Sequence, residues 1–265
     1  MKLTIIGGGN MGGSIAKGLV SGNVYKAEDI TVVDINGEIL KALKSTLPGI
    51  NTAVADYESL KTADVIILAV KPWLIEDVIL YIKFQMNYEK QILISIASGV
   101  TIETMEKLLV KGTDDVPLPA LFRVIPNTAI AIQESMTLVA TENASDVQKE
   151  LVMNLFNALG CAILIQESSM QSCTALTSCG IAFLFRYIRA AMLAGTEMGI
   201  PPKKAQEMLA YTMKGAADLL LSTGANPEDE IDKVTTPGGI TIKGINELEA
   251  NGFSNAIIKA MKACK

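Results

Sequence analysis

Up to about residue 166 the chain alternates short apolar runs with segments whose apolar residues recur every three or four positions. The runs are LTII at 3–6, ITVVDIN at 30–36, TADVIILAVKP at 62–72, KQILISIASGV at 90–100, LFRVIPNTA at 121–129, SMTLVAT at 135–141 and CAILIQ at 161–166. Runs this short, bounded by Gly, Pro, Asn or Asp, predict buried strands. The segments 38–46, 74–88, 101–110 and 145–159 between them predict helices. Such alternation predicts an α/β layer structure with a doubly wound, mostly parallel sheet. From Met170 onward the period is helical throughout: 170–198, 202–223, 227–234 and 241–262, broken at 199–202 and at TTPGG. The first of these is apolar nearly all round, through Ala175, Leu176, Ile181, Phe183, Leu184, Phe185, Ile188 and Met192. A helix with no polar face has to be buried on every side. A domain of about 100 residues can hardly do that alone, so this half is predicted to interlock with a second copy, the alternative being one central helix of a monomeric bundle. The pattern sets a boundary between 1–166 and 167–265.

The first strand runs directly into GGGNMGG. Gly7, Gly9 and Gly12 make a G-x-G-x-x-G turn between a strand and a helix, which is the context of a dinucleotide-binding (Rossmann) fingerprint. Each glycine meets a separate physical need. Gly7 allows the tight turn, Gly9 lets the backbone approach a pyrophosphate, and Gly12 lets the helix pack against the sheet. The helix beginning near Asn10 and Met11 then offers free N–H groups and a positive dipole end. The second strand ends in Asp34, roughly 20 residues further on, where a carboxylate hydrogen-bonds the adenosine ribose and favours NAD over its phosphorylated form. Lys41 and Lys44 are the nearest downstream cations, which keeps NADP open.

Composition narrows the chemistry. The chain has 265 residues and a net charge of −5, from 23 basic and 28 acidic residues. With no long basic run, nucleic-acid binding is not expected. The four cysteines show neither CxxC nor zinc spacing, so no metal site is expected, and reduced thiols in a cytoplasmic protein are the plain reading. The apolar stretch after Lys2 is too short for a signal peptide. Arg186, Arg189 and Glu197 interrupt the apolar helix, which argues against a membrane span. There is no histidine. That removes the commonest general acid–base group and any Ser-His-Asp triad, so the reaction must need little proton transfer from the protein.

A second glycine break, DKVTTPGGITIKGINELE at 232–249, stands before the last predicted helix. Backbone N–H groups after Pro237, Gly238 and Gly239 suit a small carboxylate, with Thr236 and Thr241 on either side. Taken alone, the break reads equally as a simple threonine cap.

Together GGGNMG, AVKP at 69–72, RVIPNTA at 123–129, TALTSCGIAFLF at 174–185 and TTPGGITIKGINELE resemble the pyrroline-5-carboxylate reductase family, essentially end to end. The PGG-x-T loop is the most specific of these. The resemblance implies a dinucleotide-binding Rossmann domain over 1–166 and an all-α helical dimerisation and substrate-binding domain over 167–265. It implies hydride transfer from NADH or NADPH to the C=N bond of 1-pyrroline-5-carboxylate, giving L-proline, in homodimers from which higher assemblies are built. Carried over by residue, it places Gly7, Gly9, Asn10, Met11 and Gly12 on the pyrophosphate and Val70, Lys71 and Pro72 beside the cofactor. Ala97 and Asn127 fall near the nicotinamide. Thr236, Gly238, Gly239 and Ile240 fall on the substrate carboxylate, and the catalytic Thr241 hydroxyl on the ring nitrogen.

Two departures matter. The family segment usually reads S-G-S-G-P-A-Y where this chain has Thr177, Ser178, Cys179, Ile181 and Phe183, so a proline and a tyrosine hydroxyl are lost. Asp56 stands where relatives often have Asn near the ribose; a second acid there repels a 2′-phosphate and adds to the preference for NADH. The altered segment motivates one rival, a cofactor-binding regulatory relative without catalysis. The architecture suggests another, a 3-hydroxy acid dehydrogenase. That oxidation needs a base, usually a lysine on the long helix, and 170–198 has none.

Overall fold

The computed structural model describes residues 1–112 and 117–265. Eight strands form one sheet in the order β3-β2-β1-β4-β5-β6-β7-β8. They are β1 Leu3–Ile6, β2 Ile30–Asp34, β3 Asn51–Val54, β4 Val65–Leu68, β5 Ile92–Ser95, β6 Ala120–Ile125, β7 Ser135–Ala140 and β8 Gly160–Leu164. Among the described residues only the β6–β7 pair is antiparallel. The expected mostly parallel, doubly wound sheet is therefore present. β1 lies between β2 and β4, with Ile5 in register with both Val32 and Ile67. The chain winds outward one way from β1 and then the other, and the crevice at that switch point is where such sheets bind ligands.

Helices α1 Asn10–Ser21, α2 Gly37–Thr46, α3 Ile75–Ile82, α4 Ile102–Leu109 and α5 Asp146–Asn157 cover the sheet. Ile15, Leu19, Leu43 and Phe156 bring α1, α2 and α5 onto one core with Ile5, Val32 and Phe122. Ile75, Ile79, Ile102 and Met105 bring α3 and α4 onto the other with Ile6, Leu68 and Leu121. Each such fully buried side chain contributes roughly 1.5–3 kcal/mol over leaving it in water.

Three findings correct the sequence reading. β3 was not expected: all four of its residues are at least partly exposed, so the sequence carries no apolar run there, and pairing with β2 creates the strand. The long helix is interrupted, with α6 Met170–Thr174, a π-helical turn Ala175–Cys179, and α7 Gly180–Glu197. The segment expected as one helix over 241–262 is two, α10 Ile240–Ala250 and α11 Phe253–Ala263, because Gly252 takes the left-handed conformation with φ of +77°.

The chain divides into two compact units, Met1–Ser178 and Cys179–Lys265. The first reaches beyond the expected limit at 166 because Met170 is fully buried in the sheet's second core. Glu167 also accepts from the Ile102 N–H and pairs with Arg123. The second unit is wholly helical: α7, α8 Pro202–Thr223, α9 Pro227–Val234, α10 and α11. Within it α7 packs on α8, where Gly195 of α7 lets Ala205 of α8 approach. The burial expected around α7 is not supplied by its own chain, for Leu184, Phe185 and Leu193 are all more than half exposed.

Candidate functional site

The G-x-G-x-x-G turn leaves β1 at the switch point. Gly7 has φ of +106°, and a Cβ there would stand 2.6 Å from the Ala69 carbonyl oxygen; both the dihedral and the space demand glycine. The same close approach brings the turn against Val70, and so against the loop that continues through Lys71 and Pro72. A Cβ on Gly12 would overlap the carbonyl oxygen of Gly7 and touch Ile5. α1 can reach the sheet only without one. Above Gly9 the space is open, with nothing within 4 Å of a Cβ position.

Helix starts differ in how they are capped. Asn36, Thr101, Ser145 and Asn226 each accept a backbone N–H and so cap α2, α4, α5 and α9. By contrast α1 begins on Gly9 and α10 on Gly239, neither with a side-chain cap. Their first-turn N–H groups are left for an anion.

At the end of β2, the Asp34 carboxylate accepts the Gly8 N–H at 2.7 Å and the Asn36 N–H at 2.8 Å. This ties the end of β2 to the glycine turn and leaves each oxygen a further lone pair. Val54 is in register with Asp34, and the Ala55 N–H donates to the Asp34 carbonyl at 3.1 Å. Asp56 therefore follows on the neighbouring strand end, where its Oδ1 accepts the Glu58 N–H at 3.0 Å. The two expected acids share one edge.

Ala97 lies beyond β5, buried, with its N–H on the Ser95 hydroxyl at 3.3 Å. Asn127 lies beyond β6, also buried. Its side-chain oxygen accepts the Ala129 N–H at 3.0 Å, and its Nδ2 donates to the Thr177 carbonyl at 3.3 Å. In the second unit, Gly238 has φ of +72° and the Gly239 N–H donates to the Thr236 carbonyl at 2.9 Å. Thr236, Ile240 and Thr241 are exposed around this start of α10.

Sequence reasoning missed the ion pair of Arg123 and Glu167, at 3.0 Å with both side chains largely buried, and the bonds from Asn127 to the Thr177 carbonyl and from Ser178 to the Pro126 carbonyl. An arginine inside a strand run hints at a buried partner, but nothing in the order of residues points to a glutamate 44 positions on.

An uncapped glycine turn at the switch point, with two acids on the adjoining strand ends, is the arrangement of a dinucleotide-binding α/β protein. Two family models match the chain: "NADP oxidoreductase coenzyme F420-dependent" over residues 2–99 and "Pyrroline-5-carboxylate reductase dimerisation" over 167–265. The chain is 38% identical to pyrroline-5-carboxylate reductase 1 of Dictyostelium discoideum; the match covers 98% of this chain and 48% of that relative, so the chain spans about half its length. It is 35% identical to the pyrroline-5-carboxylate reductase of Methanosarcina acetivorans, over 100% of this chain and 97% of the relative. The crystal structure of the Plasmodium falciparum pyrroline carboxylate reductase with NADP bound matches with a TM-score of 0.86 and 26% identity, over 100% of this chain and 95% of that one. The chain belongs to the pyrroline-5-carboxylate reductase family and is, with it, an NAD(P)H-dependent oxidoreductase.

Proposed function

We propose that this chain reduces the C=N bond of 1-pyrroline-5-carboxylate to give L-proline, the first unit holding the cofactor and the second the substrate. One contrast carries the reading: of the helices that begin on glycine without a side-chain cap, α1 and α10 follow the two sequence motifs of the family. The open space above Gly9 and the free N–H groups of α1 fit a pyrophosphate, so Gly7, Gly9, Asn10, Met11 and Gly12 hold it. Val70, Lys71 and Pro72 flank the cofactor, with Ala97 and Asn127 toward its nicotinamide. When bound, the reduced nicotinamide supplies the hydride.

The substrate carboxylate sits on the N–H groups of Ile240 and Thr241, beside Thr236, Gly238 and Gly239, whose own N–H is turned back onto the Thr236 carbonyl. A cyclic imine takes a proton from water readily, and the iminium is already a hydride acceptor, which is why a chain without histidine suffices. Thr241 accepts the iminium N–H and orients the ring without giving up a proton. Asp34 and Asp56 place two negative charges where a 2′-phosphate would sit, and this supports a preference for NADH.

The experiment is consumption of NADH and of NADPH on adding 1-pyrroline-5-carboxylate. Turnover with higher kcat/KM for NADH supports both parts of the reading, and a strong NADPH preference overturns the role of the two acids. Cofactor binding without any turnover would make the chain a non-catalytic relative.

A further inference from the structure

A helix widens to π geometry rarely, and often at functional sites. The π-turn Ala175–Cys179 is held by groups outside its own helix. Asn127 Nδ2 donates to the Thr177 carbonyl at 3.3 Å, while the Ser178 hydroxyl donates back to the Pro126 carbonyl at 3.2 Å. One donor comes from each side, so loop and turn are tied in both directions. The loop is fixed in its turn. The Asn127 N–H donates to the Ser135 hydroxyl at 3.0 Å, which also accepts the Thr137 hydroxyl at 2.9 Å. Ser135 and Thr137 are fully buried on β7. Such a satisfied buried network is rigid.

The loop carrying Pro126 and Asn127 leaves the carboxyl end of β6. Its neighbour in the sheet is β5, whose Ser95 is in register with Arg123 and whose carboxyl end leads to Ala97. Asn127 thus has its side-chain oxygen and nitrogen both engaged with backbone groups, at the edge where the nicotinamide is placed. Ser178 stands where the family segment has glycine, so its arm of the tie belongs to this chain.

We propose that Asn127 and Ser178 are positioning residues for hydride transfer: a two-sided clamp that sets the π-turn against the loop after β6 and so fixes the wall of the nicotinamide site. This rests on the placement of the nicotinamide near Ala97 and Asn127.

The test uses the full chain and the variants Ser178→Ala, Ser178→Thr and Asn127→Asp. The aspartate keeps the acceptor for the Ala129 N–H and loses the donor to Thr177. Trp73 is the one tryptophan and follows Pro72, so quenching of its emission on titration with NADH reads cofactor affinity without turnover. Small misplacement of reacting groups costs rate steeply, so Ser178→Ala and Asn127→Asp are expected to lower kcat about tenfold, with Ser178→Thr restoring it. In the two Ser178 variants the NADH Kd stays within about twofold of the unaltered chain, because the pyrophosphate and adenosine contacts lie elsewhere. Unchanged kcat in both variants overturns the clamp, as does a parallel fall of kcat, NADH affinity and melting temperature. Turnover by the unaltered chain tests the function separately. Were it inactive, amide exchange over residues 175–179 would still decide: faster exchange in Ser178→Ala supports the clamp, and equal exchange overturns it.

Discussion

Arg123 is 11% exposed and Glu167 14%, and the pair closes at 3.0 Å with Glu167 also accepting the Ile102 N–H at 2.8 Å. One guanidinium nitrogen, Nε of Arg123, is buried without a partner among the described residues, so the site depends on the carboxylate. Removing one member of a buried pair leaves the other's charge uncompensated, which typically costs 3–5 kcal/mol. Glu167→Gln, which keeps an acceptor for Ile102, should destabilise the chain by about 3 kcal/mol in a urea titration. An unchanged midpoint would show that water reaches the pair. Thr241 is the opposite kind of residue: exposed, at an uncapped helix start, with little to do for the fold. Thr241→Ala should leave the urea midpoint alone and lower kcat/KM by about 1–3 kcal/mol, or roughly 5- to 150-fold. Unchanged kcat/KM would remove it from the reaction.

Among the elements, α1 and α5 make the same turn into a helix by different chemistry. Ser145 and Gln148 close a capping box on α5, while α1 starts on bare Gly9. Gly9 has φ of −64° and open space above it, so a serine fits without strain and would cap the N–H groups that the pyrophosphate needs. Gly9→Ser should keep or raise the melting temperature while weakening NADH binding about tenfold, as read from Trp73 emission. A loss of stability would mean that the turn itself requires glycine there. The start of α1 was legible in the sequence because glycine and the run before it carry the signal locally, whereas the capping box of α5 came from the structure. The strands of the sheet interior were legible for the same reason, each being an apolar run such as VIIL in β4. β3 was not: NTAV pairs only because β2 offers an edge, and an edge strand needs no apolar face. Nor were the π-turn and its tie to Asn127, since hydrogen bonds between residues 127 and 177 follow from how the chain folds back and leave no period in the sequence. The split between α10 and α11 did leave a mark, Asn251–Gly252, where glycine takes up the left-handed turn.

For the molecule as a whole, burial decides both its pH limit and its state of association. Tyr25 and Tyr88 are buried, and loss of hydration pushes both phenols above their ordinary range, with Asp64 and Asp29 adding to the effect at Tyr25. A folded-state pKa raised above the unfolded one stabilises the neutral form. That stability is fully present below about pH 10, the unfolded value, and is lost as pH rises beyond it. The urea midpoint should therefore hold through neutral pH and fall steeply above about pH 10; a flat profile there would mean that these rings ionise freely in the folded chain. The second unit presents the reverse problem. The stretch Glu167–Glu197 is apolar and long enough to cross a membrane by length and composition alone, and little of it is buried within the chain. Arg186 and Arg189 sit in its middle, where a bilayer would penalise them heavily, and the family's dimerisation segment covers the same residues. A second copy of the chain is thus expected to take up Leu184, Phe185 and Leu193. A carboxylate placed in such a contact must be dehydrated with no cation to meet it, which costs several kcal/mol on each side of a twofold axis. Phe185→Glu should then elute near the 28.2 kDa of a single chain where the unaltered protein runs at twice that mass. Its reductase activity should fall with the loss of the dimer, while NADH still quenches Trp73 in the first unit. A Phe185→Glu protein that stays dimeric would place the partner on another face of these helices.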